Sequence, residues 1–285
     1  MSFSEAKFIP SKSIVLNLIK SVYERKYVFS LASTILDKGE TISEFLEKEI
    51  AIELLKDPNP TNIYCVNTDI KKLTLDPIKI KQENFKQRLQ ELVSKLTIAT
   101  DETGSIISIN NHDTILKQWE QIKKAALATF KGAMVEKYLQ GLEEKINNEQ
   151  KLIEDIKQSR LLGFLFSGLY KDYSSPIQKQ KTHLQAVNYF PVIVNETYTW
   201  VEKNENDKIH IKMEGLINEI EMPTKKINTF FQRKGYSKGQ LELTEYEGNY
   251  KIDSETGWIN QADFKMTLKY GADYLKSQTI SIKQL

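Results

Sequence analysis

Val192-Ile193-Val194-Asn195-Glu196-Thr197-Tyr198-Thr199-Trp200 sets Val192, Val194, Tyr198 and Trp200 in alternation with Asn195, Thr197 and Thr199. After the polar turn Lys203-Asn204-Glu205-Asn206-Asp207 the alternation resumes with Ile209, Ile211 and Met213. A period of two is the signature of a strand with one face buried and one solvated, so this segment predicts an antiparallel hairpin.

Strand chemistry continues downstream. A short helix carrying Ile227, Phe230 and Phe231, ended near Gly235, precedes a meander with strands near 240–246, 249–253, 258–270 and 274–283. Its turns fall at Glu247-Gly248, Ser254 to Gly257, and Gly271 to Asp273, and Phe264, Met266, Leu268 and Tyr270 share one face of the third strand.

The N-terminal part reads as mixed. Ile14, Leu16 and Leu18, then Tyr27, Phe29 and Leu31, alternate as a hairpin punctuated by Asp37-Lys38-Gly39. Thr41-Ile42-Ser43-Glu44 has the form of a capping box, and Ile42, Phe45, Leu46, Ile50 and Leu54 at three- and four-residue spacing predict a helix stopped by Asp57-Pro58-Asn59-Pro60. Extended chain around Ile63 to Val66 and Leu73 to Leu75 leads to a second helix with Phe85, Leu89, Leu92 and Leu96 on its stripe. Leu96 to Asn110 forms two short β-rich runs about an acidic turn closed by Gly104.

Between these regions helix dominates, from about Asp113 to Tyr173. Ile115, Trp119, Ile122 and Ala126 make one amphipathic helix. Val135, Leu139, Leu142, Ile146, Ile153 and Ile156 make a longer pattern, broken at Asn147 to Gln150. The expected fold class is therefore α+β, with an antiparallel sheet from the N- and C-terminal parts and a long helical insertion between them. Residues 1–111 form the N-terminal segment, 112–183 the insertion and 184–285 the C-terminal segment, which either shares one sheet with 1–111 or stands apart.

Composition removes several function classes. The 285 residues carry 40 basic and 38 acidic side chains, and only Arg25, Arg88, Arg160 and Arg233 are arginine. Bidentate recognition of phosphate and guanine leans on arginine, so a lysine-dominated surface argues against nucleic acid as a partner. Cys65 is the single cysteine, which leaves no intramolecular disulfide and no zinc site built on several thiolates. The N-terminal residues lack a basic segment followed by an apolar run, giving a cytoplasmic expectation.

Catalytic and cofactor patterns are not found in the sequence. His112, His183 and His210 show no metal-ligand spacing, and Cys65 lies in an apolar run that suits a buried inert thiol. Neither a phosphate-cradling glycine motif nor the glycine-flanked serine of hydrolases is present. Asp101 to Ile106 and Asp253 to Ile259 echo one another, each an acidic turn before a glycine, and both read as hairpin turns rather than calcium loops. No catalytic, cofactor or metal-ligating residue is nominated.

Two apolar features remain. Leu161, Leu162, Phe164, Leu165, Phe166 and Leu169 form the longest apolar patch, about half the ~20 residues that cross a bilayer. Read as core they are a buried helix end or a buried loop, as helices of soluble domains routinely supply; read as surface they are a membrane-inserting tip or the candidates for contact with a partner. Tyr198, Trp200, Trp258, Phe264 and Tyr270, among other aromatics of the last third, are the candidates for lining an apolar-ligand cavity.

The leading expectation is a non-enzymatic protein-interaction component of bacterial character, acting as an adaptor, an assembly factor or an inhibitor and using the helical segment to bind another protein or itself. The alternative is a carrier of an apolar ligand such as a lipid, held between a curved sheet and the inserted helices. A third reading is a membrane-active protein that inserts residues 131–170.

Overall fold

Alternation of apolar and polar residues carries the chain out in long strands and back beside itself, and the first and last of these strands meet. The computed structural model describes Leu16 and residues 24–55, 62–74, 83–158, 160–173, 177–187, 190–203 and 208–285, with the backbone alone at 83, 84, 86, 87, 160, 177–187, 190, 191, 202 and 203. The expected strand around Ile14 and Leu18 lies outside the described residues, except for buried Leu16, whose N–H donates to the Lys171 carbonyl at 3.0 Å.

Strand β1 (Glu24–Asp37) turns at Lys38 and Gly39 into β2 (Glu40–Leu55), followed by β3 (Asn62–Thr74), helix α1 (Glu83–Leu92), β4 (Lys95–Thr100) and β5 (Ile106–Ile109). Four helices come next: α2 (His112–Thr129), α3 (Ala133–Ile146), α4 (Glu149–Gln158) and α5 (Arg160–Leu165). The C-terminal half runs β6 (Ile177–Val187), β7 (Phe190–Lys203), β8 (Lys208–Ile217), α6 (Thr224–Arg233), β9 (Leu241–Asp253), β10 (Ile259–Tyr270) and β11 (Tyr274–Gln284). The inserted helices thus end at Leu165, and β6 begins within the 112–183 segment.

Among the described residues all eleven strands join one antiparallel sheet in the order β5-β4-β3-β2-β1-β11-β10-β9-β8-β7-β6. The two halves are stitched by β1 against β11, from Tyr27 opposite Gln284 to Asp37 opposite Tyr274. This is the α+β fold expected from the sequence, with the helices inserted between the two edge strands. An open twisted sheet of this many strands curls rather than staying flat. Helix α4 packs against both β5 and β6, so the opposite edges approach the same helix. Glu149 at its start accepts the Ile109 N–H at 2.7 Å, occupying a donor on the β5 edge that would otherwise be free to pair with another strand.

One sequence expectation is overturned at β2. The predicted helix over Ile42 to Leu54 is a strand in register with β1 from Glu24 opposite Glu53 to Asp37 opposite Glu40. Ile42, Leu46, Ile50 and Leu54 are four apart, a spacing that places residues on one face of a helix and equally on one face of a strand. Ile52, buried beside Ile50, carries the period of two, whereas Phe45 lies on the opposite face beneath the Lys72 ammonium, 5.4 Å from the ring centroid. Lys38 and Gly39 have φ values of 50° and 87°, the positive angles that a two-residue hairpin turn uses to match strand twist. The tight turn then holds Thr41 and Glu44 in the ladder and no capping box forms.

Two smaller corrections follow the same logic. Glu247-Gly248 is not a turn but lies inside β9, where Gly248 gives room to Met213: an added Cβ would sit 2.7 Å from its Cε. Leu96 belongs to β4 and not to the preceding helix. The polar break at Asn147 and Asn148 separates α3 from α4, and Lys145 reaches across it to Asp155 at 2.8 Å.

The core lies on the inner face of the curl. Inward positions are the odd residues of β1 and the even residues of β2, β10 and β11, and they meet the apolar stripes of α2 to α5. Helix α6 packs at one end of this face, with Phe231 stacked on Tyr270 at 3.9 Å between ring centroids.

Candidate functional site

Among the described residues, packing between sheet and helices is incomplete beside α4 and α5. A cavity of about 410 Å³ lies between the inner face and helices α1, α4 and α5. Alternation supplies its sheet side: Phe29 and Leu31 from β1, Leu46 and Lys48 from β2, Gln278 and Ile280 from β11. Its other side is Leu152 and Ile156 of α4 with Leu161 and Leu162 of α5. Small-molecule sites occupy roughly 300–1,000 Å³ and combine mostly apolar walls with a few polar groups, and this cavity has both properties.

The polar groups are unequal. Asp155 lines the cavity but receives the Lys145 ammonium at 2.8 Å. Lys48 is only 8% exposed, and among the described residues it has no hydrogen-bond or ion-pair partner. Across the ladders its neighbours are Phe29 and Ile70. Burial therefore pushes its ammonium below the usual lysine range. Gln90 also lines the cavity, and its buried Oε1 lacks a hydrogen-bond partner.

The candidates named from the sequence are distributed differently. Leu162, Phe164, Leu165, Phe166 and Leu169 are all buried within the chain, and Leu161 is half-buried at the cavity wall beside Leu162. Phe164 packs 5.6 Å from both Tyr250 and Phe264, and Phe166 lies 5.5 Å from Tyr64. The stretch is thus a plug within its own sheet. Of the five aromatic candidates none lines this cavity: Tyr198, Trp258, Phe264 and Tyr270 are buried core, and half-buried Trp200 packs at the margin of that core.

Lys48, Phe29, Leu31, Leu46 and Ile280 carry no motif that marks them as a site in the sequence. In a helix the Leu46–Ile50 stripe turns Lys48 to the far side; in a strand Lys48 shares their face. A second buried polar group is equally unmarked. Glu196 is 5% exposed and accepts the Tyr198 hydroxyl at 2.9 Å and the Tyr246 hydroxyl. Gly215 makes room for the Tyr246 ring, which would overlap a Cβ there. The alternation Val194, Glu196, Tyr198 is the signal that points Glu196 inward.

Other polar residues have structural roles. Asp101 accepts the Thr103 and Ser105 N–H groups at 2.9 Å, and Asp253 accepts those of Glu255 at 3.1 Å and Thr256 at 2.8 Å, so the sequence echo is a pair of aspartate-closed hairpin turns. His112 places Nε2 2.7 Å from the Ile146 carbonyl at the end of α3, while the His183 side chain lies outside the described residues. Cys65 is half-buried, with Asn67 Nδ2 at 3.7 Å from its sulfur. Among the described residues no group of three or more His, Cys, Asp or Glu is placed to hold a metal ion. No described helix is long and apolar enough to cross a membrane.

No protein-family model and no curated protein matches the chain. Among solved structures, the chain is similar to DynF from the dynemicin biosynthesis pathway of Micromonospora chersina, at 8% identity over 96% of this chain and 85% of that one, with a TM-score of 0.22. A score that low transfers neither fold nor function, so the cavity is read from its own residues.

Proposed function

We propose that the protein binds and carries an apolar small molecule in the space between its curled sheet and helices α4 and α5. The observation that supports this reading is the cavity itself, about 410 Å³ walled by Leu31, Leu46, Ile156, Leu162 and Ile280. The cavity is half open, and its apolar walls present surface whose removal from water by a ligand is favourable. The protein-contact role expected from the sequence rested on the long amphipathic helical segment together with the 161–169 stretch, and of these two the stretch is buried within the chain, with Leu161 half-buried.

The test is titration with the neutral apolar dye Nile red. Wild type is expected to bind it saturably, and Leu31→Trp, which places an indole in the cavity, is expected to bind it at least tenfold more weakly while keeping the wild-type circular dichroism spectrum. Dye binding that is absent, or unchanged in Leu31→Trp, would overturn the proposal.

A further inference from the structure

Resting on the carrier reading, we infer that the ligand is a single-chain amphiphile with an anionic head, a long-chain carboxylate, whose head is held by the Lys48 ammonium. Lys48 is more than nine-tenths buried and lines an otherwise largely apolar cavity. Among the described residues nothing hydrogen-bonds or ion-pairs with it. A buried ammonium without a partner is costly, and proteins keep such groups paired or put them to use.

The surroundings narrow the ligand further. Asp155, the carboxylate on the same cavity wall, is held by Lys145, so its charge is locally offset while that of Lys48 is not. Lys276, the other lysine buried among the described residues, does not line the cavity. One cationic donor suits one anionic head, and Gln90 adds a polar group in the same space. The volume lies near the lower end of the range for small-molecule sites, roughly 300–1,000 Å³, which accommodates one alkyl chain better than two. Burial that lowers the Lys48 pKa is offset when a carboxylate sits beside the ammonium, so ligand binding favours its charged form.

The experiment is displacement of Nile red by laurate and by lauryl alcohol, which share a chain and differ in the head. For wild type, laurate is expected to displace the dye at roughly tenfold lower concentration than the alcohol, the scale of one charge-assisted hydrogen bond. In Lys48→Met that preference is expected to vanish through loss of laurate affinity, with the alcohol unchanged; Lys48→Arg, which keeps the charge, is expected to retain part of it. Equal displacement by both compounds in wild type would overturn the anionic-head inference while leaving the apolar carrier intact. Displacement by neither, or no dye binding at all, would remove both. A preference for laurate that persists undiminished in Lys48→Met would assign the head to another group and overturn the role of Lys48.

Discussion

Tyr64 of β3 and Trp258, which leads into β10, meet edge to face with ring centroids 6.0 Å apart and planes at 88°. Their strands are four spacings apart in the sheet, roughly 19 Å if it were flat. The contact therefore measures the curl: the two halves of the sheet fold toward each other until side chains from distant strands touch. Phe166 completes the joint from the helical side. Replacing a buried aromatic of this kind by alanine removes its burial and leaves a void, at about 3–5 kcal/mol. Trp258→Ala is expected to lower the denaturant midpoint accordingly, whereas Met134→Ala, at an exposed site on α3, is expected to stay within about 0.5 kcal/mol of wild type. Equal effects of the two substitutions would contradict the curled arrangement.

Alkaline pH should open the interior. Burial pushes the Tyr27, Tyr64, Tyr170, Tyr173 and Tyr198 phenols up, and brings Tyr274 to about 12. A phenol whose pKa is raised by folding contributes stability that is fully present below its unfolded value, about 10, and is lost as pH rises through the folded value. The phenols are thus expected to leave the urea midpoint unaffected below about pH 10 and to make it fall steeply toward pH 12, with the absorbance of the buried tyrosinates appearing as the fold is lost. Ionisation near pH 10 of more than seven of the thirteen tyrosines in a protein that stays folded would contradict the burial of these six.

Lys48 works in the opposite sense. Its folded pKa lies below its unfolded value, so the unfolded state binds more protons between the two and stability rises with pH across that window. At pH 7 the empty protein therefore bears the cost of an uncompensated buried ammonium. Asp155 faces the same cavity from α4, already engaged by Lys145. Lys48→Met is expected to stabilise the ligand-free protein at neutral pH by roughly 0.5–2 kcal/mol, the usual size of gain when a functional group is traded for packing. Thermal unfolding of stripped protein checks this; a destabilised Lys48→Met would indicate that the lysine is held by the fold itself.

Much of the architecture is legible in the sequence because strands with one solvated face declare themselves by alternation. The β7–β8 hairpin, the Gly104 turn and the inward Phe264, Met266, Leu268 and Tyr270 all follow from that one rule. The second strand is hidden, since residues four apart satisfy helix and strand alike, and the deciding pair Ile50 and Ile52 sits beside a convincing imitation of a helix cap. That ambiguity conceals Lys48, because the side of the chain on which it falls depends entirely on the period chosen. The cavity is hidden for a different reason: it is defined by inward residues of strands that pair across the whole length of the sequence, Phe29 with Lys48 and Leu31 with Ile280. The apolar run 161–169 is visible both as a feature and, in its first reading, as a buried helix end or loop, although hydrophobicity alone does not say which surface it covers.

Native mass spectrometry of the full chain, purified without detergent and incubated with laurate, tests the central claim most directly. A single bound laurate on wild type, lost in Leu31→Trp under identical conditions, is the expected result. A spectrum in which wild type carries no adduct, or in which Leu31→Trp carries the same adduct, would contradict a ligand site between the sheet and the helices.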